Sequence, residues 1–277
     1  MSSVPRFIAV GDVHGELGRL QEILAAEVLI DPYQHWSGRN SCLLQIGDVI
    51  DRGPDSLEAD SFLRSIQEGA EQAGGKVIRL LGNHELLILQ GAYYLCNFRN
   101  PEILARTLKI DVISGKIQAA FSWENRLYVH AGLRQRILEF VGKEMKIEAE
   151  SWDPYYGVLA SHLNQILREA VKREDYSHPI FWADRSRGGE DPVGGIFWSH
   201  YPDLELEEDN AARQVVGHTP ARIRNAKIHW TPDKMKINID AGMYRGYGGN
   251  LAWLVVESGH LYAKQLLKGK IVQETIE

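Results

Sequence analysis

The chain has 277 residues, 44% of them hydrophobic and 25% charged, with no low-complexity tract, which places it among ordinary globular proteins and excludes a disordered or fibrous one. A formal net charge of -6 argues against a surface built for nucleic acid polymers or an anionic membrane, because sequence-independent phosphate binding needs a basic face; only a local basic pocket stays open. Two cysteines, Cys42 and Cys96, show no metal-ligand spacing and cannot make a disulfide framework, so a reducing, cytoplasmic setting is expected.

No linker interrupts the chain, and residues 1–277 are expected to form one domain. The first apolar run, Phe7 to Val10, is too short for a signal-peptide core or a membrane span, so a soluble protein is expected. It stops at Gly11-Asp12-Val13-His14-Gly15. Four similar runs follow: Cys42 to Ile46 before Gly47-Asp48, Val77 to Leu81 before Gly82-Asn83-His84-Glu85, Leu127 to Val129 before His130-Ala131-Gly132, and Gln214 to Val216 before Gly217-His218-Thr219. Runs of this length and composition predict buried strands. Met235 to Ile239 predicts a sixth strand, ending at Asp240, and Leu251 to Val256 turns through Ser258-Gly259 into Leu261 to Leu266 as a hairpin.

Helical spacing follows each of the first three motifs: Leu17, Leu20, Ile23 and Leu24; then Leu57, Phe62 and Ile66; then Leu86, Leu87, Leu89 and Leu95. Strand, loop and helix in alternation predict an α/β fold with a largely parallel sheet, whose ligand crevice lies beyond the C-terminal strand ends, where all five motifs fall. An insertion from about 133 to 212 carries two amphipathic helix candidates, the second with Leu159, Leu163, Ile166, Leu167 and Ala170 on one face. It then turns Gly- and aromatic-rich, from Phe181-Trp182 to Phe197-Trp198, and is expected to cap the crevice.

Two divalent ions that activate water for attack on phosphorus need carboxylate oxygens and neutral imidazoles, with coordination positions left open. The strand-end loops supply six such groups: Asp12, His14, Asp48, Asn83, His130 and His218. Alone, any of these histidines is more often a surface or core residue, and either aspartate is as readily a helix N-cap. Five independent strand ends that all carry ligand types point the other way. A shared carboxylate brings two ions to roughly 3.5–4 Å, and Asp48 is the expected bridge.

The ordered set Gly11-Asp12-Val13-His14-Gly15, Gly47-Asp48-Val49-Ile50-Asp51-Arg52-Gly53 and Gly82-Asn83-His84-Glu85, followed by His-Ala-Gly and Gly-His-Thr, resembles the phosphoprotein phosphatases among the calcineurin-like metallophosphoesterases. The tail from Ile239 to Gly249 is similar to the bacterial-type branch, in particular the Shewanella-like protein phosphatases. The resemblance implies an αββα sandwich of two sheets between helices. It also implies two divalent ions, manganese first with iron or zinc as alternatives, one held by Asp12, His14 and Asp48 and the other by Asp48, Asn83, His130 and His218. Arg52 is then expected to hold the phosphoryl group through its planar fork, with His84 as leaving-group acid and Asp51 as its orienting partner.

The chain departs from the family where a second phosphate-binding arginine is expected after a tryptophan, because it reads Phe197-Trp198-Ser199-His200-Tyr201. Arg185 or Arg187 could substitute, or could simply form a charged turn. Phe181, Trp182, Phe197, Trp198 and Tyr201 could stack on a substrate ring, although packing within the cap explains them as readily; Asp240 could orient His218 or only end its strand. The expected activity is hydrolysis of phosphomonoesters on phosphoproteins by in-line attack of a hydroxide activated by both ions. The rivals are a dinucleoside tetraphosphate hydrolase, which the continuation Pro54-Asp55-Ser56-Leu57 favours, and an inactive module that binds a phosphorylated partner. Neither the phosphorylated residue nor the oligomeric state follows from the sequence.

Overall fold

A computed structural model describes residues 5–147 and 151–277; positions 1–4, and 148–150 within the expected insertion, lie outside the described residues. In chain order the elements are β1 (Phe7–Val10), α1 (Leu17–Ala26), β2 (Cys42–Gln45), α2 (Ser56–Gln72), β3 (Lys76–Leu80), α3 (Asn83–Leu89), α4 (Pro101–Ser114), β4 (Ile117–Gln118), β5 (Ala120–Trp123) and β6 (Arg126–Val129). There follow α5 (Gln135–Met145), α6 (Tyr156–Arg173), α7 (Tyr201–Glu205), β7 (Gln214–Val216), β8 (His229–Trp230), β9 (Lys236–Asn238), β10 (Ala252–Glu257), β11 (His260–Leu267) and β12 (Lys270–Thr275).

The strands form two sheets, one in the order β12-β11-β10-β1-β2-β3-β4 and the other β5-β6-β7-β9-β8. Strands β1 to β4 are parallel, as are β6, β7 and β9, so the loops that follow them leave on the same side. Alternation along β1 shows how the layers form. Phe7 and Ala9 enter the core between the sheets with Tyr128, Val215 and Ile237, and the Phe7 and Tyr128 rings meet edge-on at 5.0 Å. Ile8 and Val10 face the other way, into the core shared with Leu20, Ile23 and Leu24 of α1 and Leu63 and Ile66 of α2. The result is the αββα sandwich. A strand buried on both faces shows no polar alternation, which is why the strand pattern alone could not separate one covered sheet from two stacked ones.

The insertion serves two purposes. Helix α6 lies on the second sheet, with Leu159, Leu163 and Leu167 in one core with Leu127 and Val129. Its Asn164 accepts from the backbone N–H groups of Ala119 (2.7 Å) and Ala120 (3.0 Å) and donates to the Ala120 carbonyl (2.9 Å), so α6 is an outer layer of the sandwich and not part of a cap. Only the later, aromatic part reaches the crevice. Two helix faces also differ from expectation. In α2 the buried apolar positions are Ala59, Leu63, Ile66 and Ala70 while Leu57 is exposed, and Leu95 lies beyond α3 in an exposed 3-10 turn. No helix among the described residues is long and apolar enough to cross a membrane.

Helices α2 and α4 are joined to β3 by a charged cluster under the sheet. Arg79, 2% exposed, donates to Asp60 of α2 and to Asp111 of α4 (3.1 Å), and the half-buried Arg64 pairs with the same two carboxylates. Removing the buried cation leaves both carboxylates to the part-exposed Arg64 alone, and breaking a buried pair costs up to about 3–5 kcal/mol. Arg79→Ala is therefore expected to lower unfolding stability in urea by about that amount, and Arg64→Ala by about 1 kcal/mol because its side chain is partly exposed. Equal losses in the two variants would show that burial of Arg79 is not what anchors α4.

Candidate active site

The loops after β1, β2, β3, β6 and β7 meet at one rim. Much of their backbone is in the left-handed region, with φ of 48° at His14, 54° at Asp48, 67° at Asp51, 70° at Arg52 and 67° at His218. None of these is a glycine, and each such residue costs on the order of 1 kcal/mol or more, so the surroundings must impose the shape. Close approach of the loops dictates some glycines outright. A Cβ on Gly82 would overlap the Asp48 backbone nitrogen, and one on Gly217 would overlap the Asp12 carboxylate.

Glu85 ties these loops together. Its Oε1 accepts from Val49 N (2.8 Å) and Ile50 N (3.3 Å), and its Oε2 from Asp48 N (3.0 Å) and Gly82 N (2.9 Å). The last of these closes the first turn of α3, where an acidic residue at the third helical position answers the unpaired N–H groups. Burial and the neighbouring Asp48 carboxylate push the Glu85 carboxyl up to about 7.

Asp48 sits among the imidazoles. One oxygen lies 3.7 Å from His14 Nε2 and the other 3.5 Å from His130 Nε2. Burial opposes its charge, but His130, His84, His14 and His218 together hold its carboxyl well below the usual range. Asp12 behaves in the opposite way: burial, then Asp240, then Asp48 raise it well above the ordinary value. Burial likewise takes the proton from His14, down to about 3, from His130 and from His218. These three rings are neutral, as metal ligation requires.

Ring orientation supports a cation in the gap. His14 Nδ1 donates to the Ile50 carbonyl and His130 Nδ1 to the Ile46 carbonyl, each at 3.0 Å, so both Nε2 lone pairs face inward. That of His130 points at Asn83 Oδ1 (3.0 Å) as well as at Asp48. Lone pairs aimed at oxygens repel unless a positive ion lies between them. His218 places Nδ1 2.7 Å from Asn83 Oδ1 and leaves its buried Nε2 with no partner among the described residues. Two groups of side chains have donor atoms close enough to hold an ion: Asp48 with His130 and His218, and Asp48 with His14 and His84. In the second group His84 stands where the sequence reading has Asp12. Both His84 nitrogens are engaged, however, Nδ1 with Asp51 Oδ2 (2.7 Å) and Nε2 with Arg52 Nη2 (3.2 Å), while the Asp12 carboxylate lies 3.9 Å from His14 Nε2. The donor set of Asp12, His14, Asp48, Asn83, His130 and His218 therefore fits two cations.

Asp51, Arg52 and His84 form a second group at the mouth. Burial would lower the His84 pKa, but Asp48 and the hydrogen-bonded Asp51 raise it above its ordinary value. Asp51 is itself held from behind, with Oδ1 accepting from Asn97 N (3.4 Å) and its backbone N–H donating to Ser56 Oγ (2.9 Å). The cleft has a volume of about 580 Å³ and is lined by Arg52, His84, Arg187, Trp198, Tyr94 and Tyr247 among others.

The structure separates the two candidate arginines. Arg187 lines the cleft and donates to Thr219 Oγ1 (3.1 Å), whereas Arg185 is exposed and donates to the Glu190 carbonyl outside it. The aromatic residues divide too. Phe181 and Trp198 line the cleft, and Trp198 meets His218 edge-on at 6.2 Å. Phe197 and Tyr201 are buried in the core, and Trp182 faces away, donating to the Ser177 carbonyl (2.9 Å). Asp240 follows the end of its strand, where it accepts from Gly242 N (3.0 Å), and it lies against Asp12 and is raised to about 7, chiefly by burial; it makes no hydrogen bond to His218 among the described residues. Sequence reasoning assigned no role to Glu85, Asn97, Arg222 or Tyr247. The acidic third position of α3 was the available signal for Glu85, and Tyr247 lies in the tail from Ile239 to Gly249 that carries the finer resemblance; Asn97 and Arg222 carry none in the sequence.

Comparison with known proteins agrees with this geometry. Residues 5–243 match the family model described as calcineurin-like phosphoesterase. An uncharacterised protein of Schizosaccharomyces pombe is 40% identical over 298 residues, covering 96% of this chain and 82% of that one. Shewanella-like protein phosphatase 2 of Arabidopsis thaliana is 39% identical over 88 residues, which span 32% of this chain and only 22% of that protein. A symmetrical bis(5'-nucleosyl)-tetraphosphatase of Pectobacterium atrosepticum is 41% identical over 80 residues, 29% of this chain and 24% of that one. Among solved structures, the cold-active protein-tyrosine phosphatase of a psychrophilic Shewanella species superposes with a TM-score of 0.68 at 20% identity, covering 99% of this chain and 81% of that one. With the family model matching most of its length and the fold a sandwich of two sheets, the chain belongs to the calcineurin-like phosphoesterases.

Proposed function

We propose that this chain hydrolyses phosphomonoesters on phosphorylated proteins, with Asp12, His14 and Asp48 holding one divalent ion, Asp48, Asn83, His130 and His218 the other, and Asp48 bridging them. The observation that carries the reading is the Asp51–His84–Arg52 chain of contacts at 2.7 and 3.2 Å beside that donor set. A metal-binding cleft that only held a phosphorylated partner would have no use for an oriented acid. The match to Shewanella-like protein phosphatases supports a protein substrate. When bound, the ions supply an activated water and neutralise phosphoryl charge; oxygen and imidazole donors suit manganese, with iron or zinc as alternatives. A cytoplasmic location accords with two unpaired cysteines.

Arg52 and Arg187 bind the phosphoryl oxygens, and Arg187 takes the place of the arginine missing after Trp198. Arg52 also controls His84. Its guanidinium can only donate, so in the free site the Nε2 that it touches is a lone pair and the Nδ1–H points at Asp51. When the phosphoryl group draws Arg52 away, Nε2 is freed to carry a proton, and the carboxylates of Asp48 and Asp51 favour that charged form. The imidazolium then stands beside the leaving oxygen and gives up its proton as the P–O bond breaks.

Three outcomes test this reading. Dialysis against a chelator is expected to abolish hydrolysis of p-nitrophenyl phosphate and Mn²⁺ to restore it; a fully active metal-free protein would refute the site. His84→Asn is expected to retain its metal content by elemental analysis yet slow turnover of a phosphoserine peptide by roughly 10²–10⁴-fold, the usual worth of acid catalysis. The defect should be far smaller on p-nitrophenyl phosphate, whose leaving group departs as a stable anion, and equal defects would demote His84 to a structural role. The short matches to tetraphosphatases, together with Pro54-Asp55-Ser56-Leu57, favour a second reading, a dinucleoside tetraphosphate hydrolase. Phosphoserine peptide, phosphotyrosine peptide and diadenosine tetraphosphate assayed side by side are expected to show the highest kcat/KM on one of the peptides, and the reverse order would install the nucleotide reading.

A further inference from the structure

Beside the cleft stands a cation that the chemistry above does not use. Arg222 follows the Gly217-His218-Thr219 loop by three residues, and its guanidinium carbon lies over the Tyr247 ring, 5.3 Å from the centroid. The guanidinium of Arg52 lies over the same ring, also at 5.3 Å. Tyr247 lines the cleft between them. Arg222 is also near enough to Arg187 to be the main charged group lowering the pKa of that side chain, after burial. Three guanidinium groups, of Arg52, Arg187 and Arg222, thus gather about Tyr247 in a protein whose net charge is -6.

Their surroundings differ. Arg52 faces Asp240 across the site, and Arg187 faces Asp184 and Asp48. Other arginines near this rim are matched, Arg245 and Arg19 with Glu16 at 3.4 and 3.7 Å, and Arg136 with Asp191 at 3.4 Å. Arg222 is exposed and, among the described residues, meets no carboxylate and donates no hydrogen bond; its neighbours are an aromatic ring and another cation. Cations held together without a counter-charge raise one another's energy, and an anion arriving from solvent relieves that. The ring fixes where the anion must sit: Tyr247 offers its face to the head group, which leaves the guanidinium fork free for a planar carboxylate.

We propose that Arg222 forms a second anion subsite, beside the phosphoryl site, that binds an acidic side chain next to the phosphorylated residue of a protein substrate. This rests on the protein-phosphatase reading and narrows it. A single ring separates the two cations, which suits a phosphate and a carboxylate carried on neighbouring residues of an extended peptide, where consecutive Cα atoms are about 3.8 Å apart. The Arg52 end takes the phosphoryl group and the Arg222 end takes the carboxylate.

The test uses pairs of phosphopeptides that differ only in having Glu or Gln on either side of the phosphoresidue, made in phosphoserine and phosphotyrosine forms. The wild-type protein with Mn²⁺ is expected to favour the Glu peptides by roughly five- to tenfold in kcat/KM, mainly through KM, and to lose most of that preference in high salt. Arg222→Gln is expected to bring the ratio close to one, and Arg222→Lys to recover part of it. Arg224→Gln, which deletes the same charge two residues away, should leave the ratio as it is. A wild-type ratio of one, a preference that survives Arg222→Gln, or an equal loss on both peptides would overturn the subsite while leaving the phosphatase reading intact. Failure to hydrolyse any phosphopeptide while p-nitrophenyl phosphate is turned over would overturn both.

Discussion

The carboxylate of Glu85 is the point on which the site depends. Four backbone N–H groups, from Asp48, Val49, Ile50 and Gly82, converge on its two oxygens at 2.8–3.3 Å. Three of them belong to the turn after β2, which has no regular secondary structure to satisfy its donors, and the fourth belongs to the first turn of α3. Buried N–H groups left without partners would cost about 1–3 kcal/mol each, so one side chain resolves a deficit that would otherwise open the loop. What the loop carries is Asp48, Asp51 and Arg52, and what the helix carries is Asn83 and His84. The same bonds therefore set the position of the Asp48 carboxylate relative to the His84 ring.

Two sheets are needed because no single sheet edge supplies enough side chains. Asp12, Asp48 and Asn83 come from strand ends of the first sheet, His130 and His218 from those of the second. The core between them, from Phe7, Leu44 and Ile78 to Tyr128, Val215 and Ile237, keeps the two sets in register. Electrostatically the site is unbalanced. Asp12, Asp48, Glu85 and Asp240 are buried together, and burial first, then the nearby Asp48 charge, raises the Glu85 and Asp240 carboxyls to about 7. Divalent cations correct the imbalance, which is the electrostatic reason for a donor set of this composition.

Much of this was legible in the sequence, for a physical reason: strands buried on both faces are short apolar runs, and the tight turns that follow them require glycine. All eight expected strands are present within about a residue of their predicted ends. The omissions have reasons too. Helix α4 buries Leu104, Leu108 and Val112 but exposes Ile103, Ile110 and Ile113, so apolar residues surround it and its periodicity is blurred. Strand β12 is exposed throughout and is defined only by pairing with β11. Strands β4 and β8 have two residues each, too few for any pattern. In the site, residue types at strand ends were readable, but the direction of a side chain was not. Arg185 and Arg187 are equivalent in sequence, and only the turn at Asp184 to Gly188 sends one into the cleft and the other out. Asn97 reaches the site from a segment with no motif of its own.

The left-handed backbone at His14, Asp48, Asp51, Arg52 and His218 has a consequence for how this sequence tolerates change. At such positions glycine relaxes the main chain, so the substitutions that best suit the backbone are those that delete the functional side chains. Backbone strain and the proposed site thus make opposite demands at five places in one rim. A search among variants for heat resistance alone would drift toward inert proteins, and the sandwich beneath must hold enough surplus stability to keep the working residues in place.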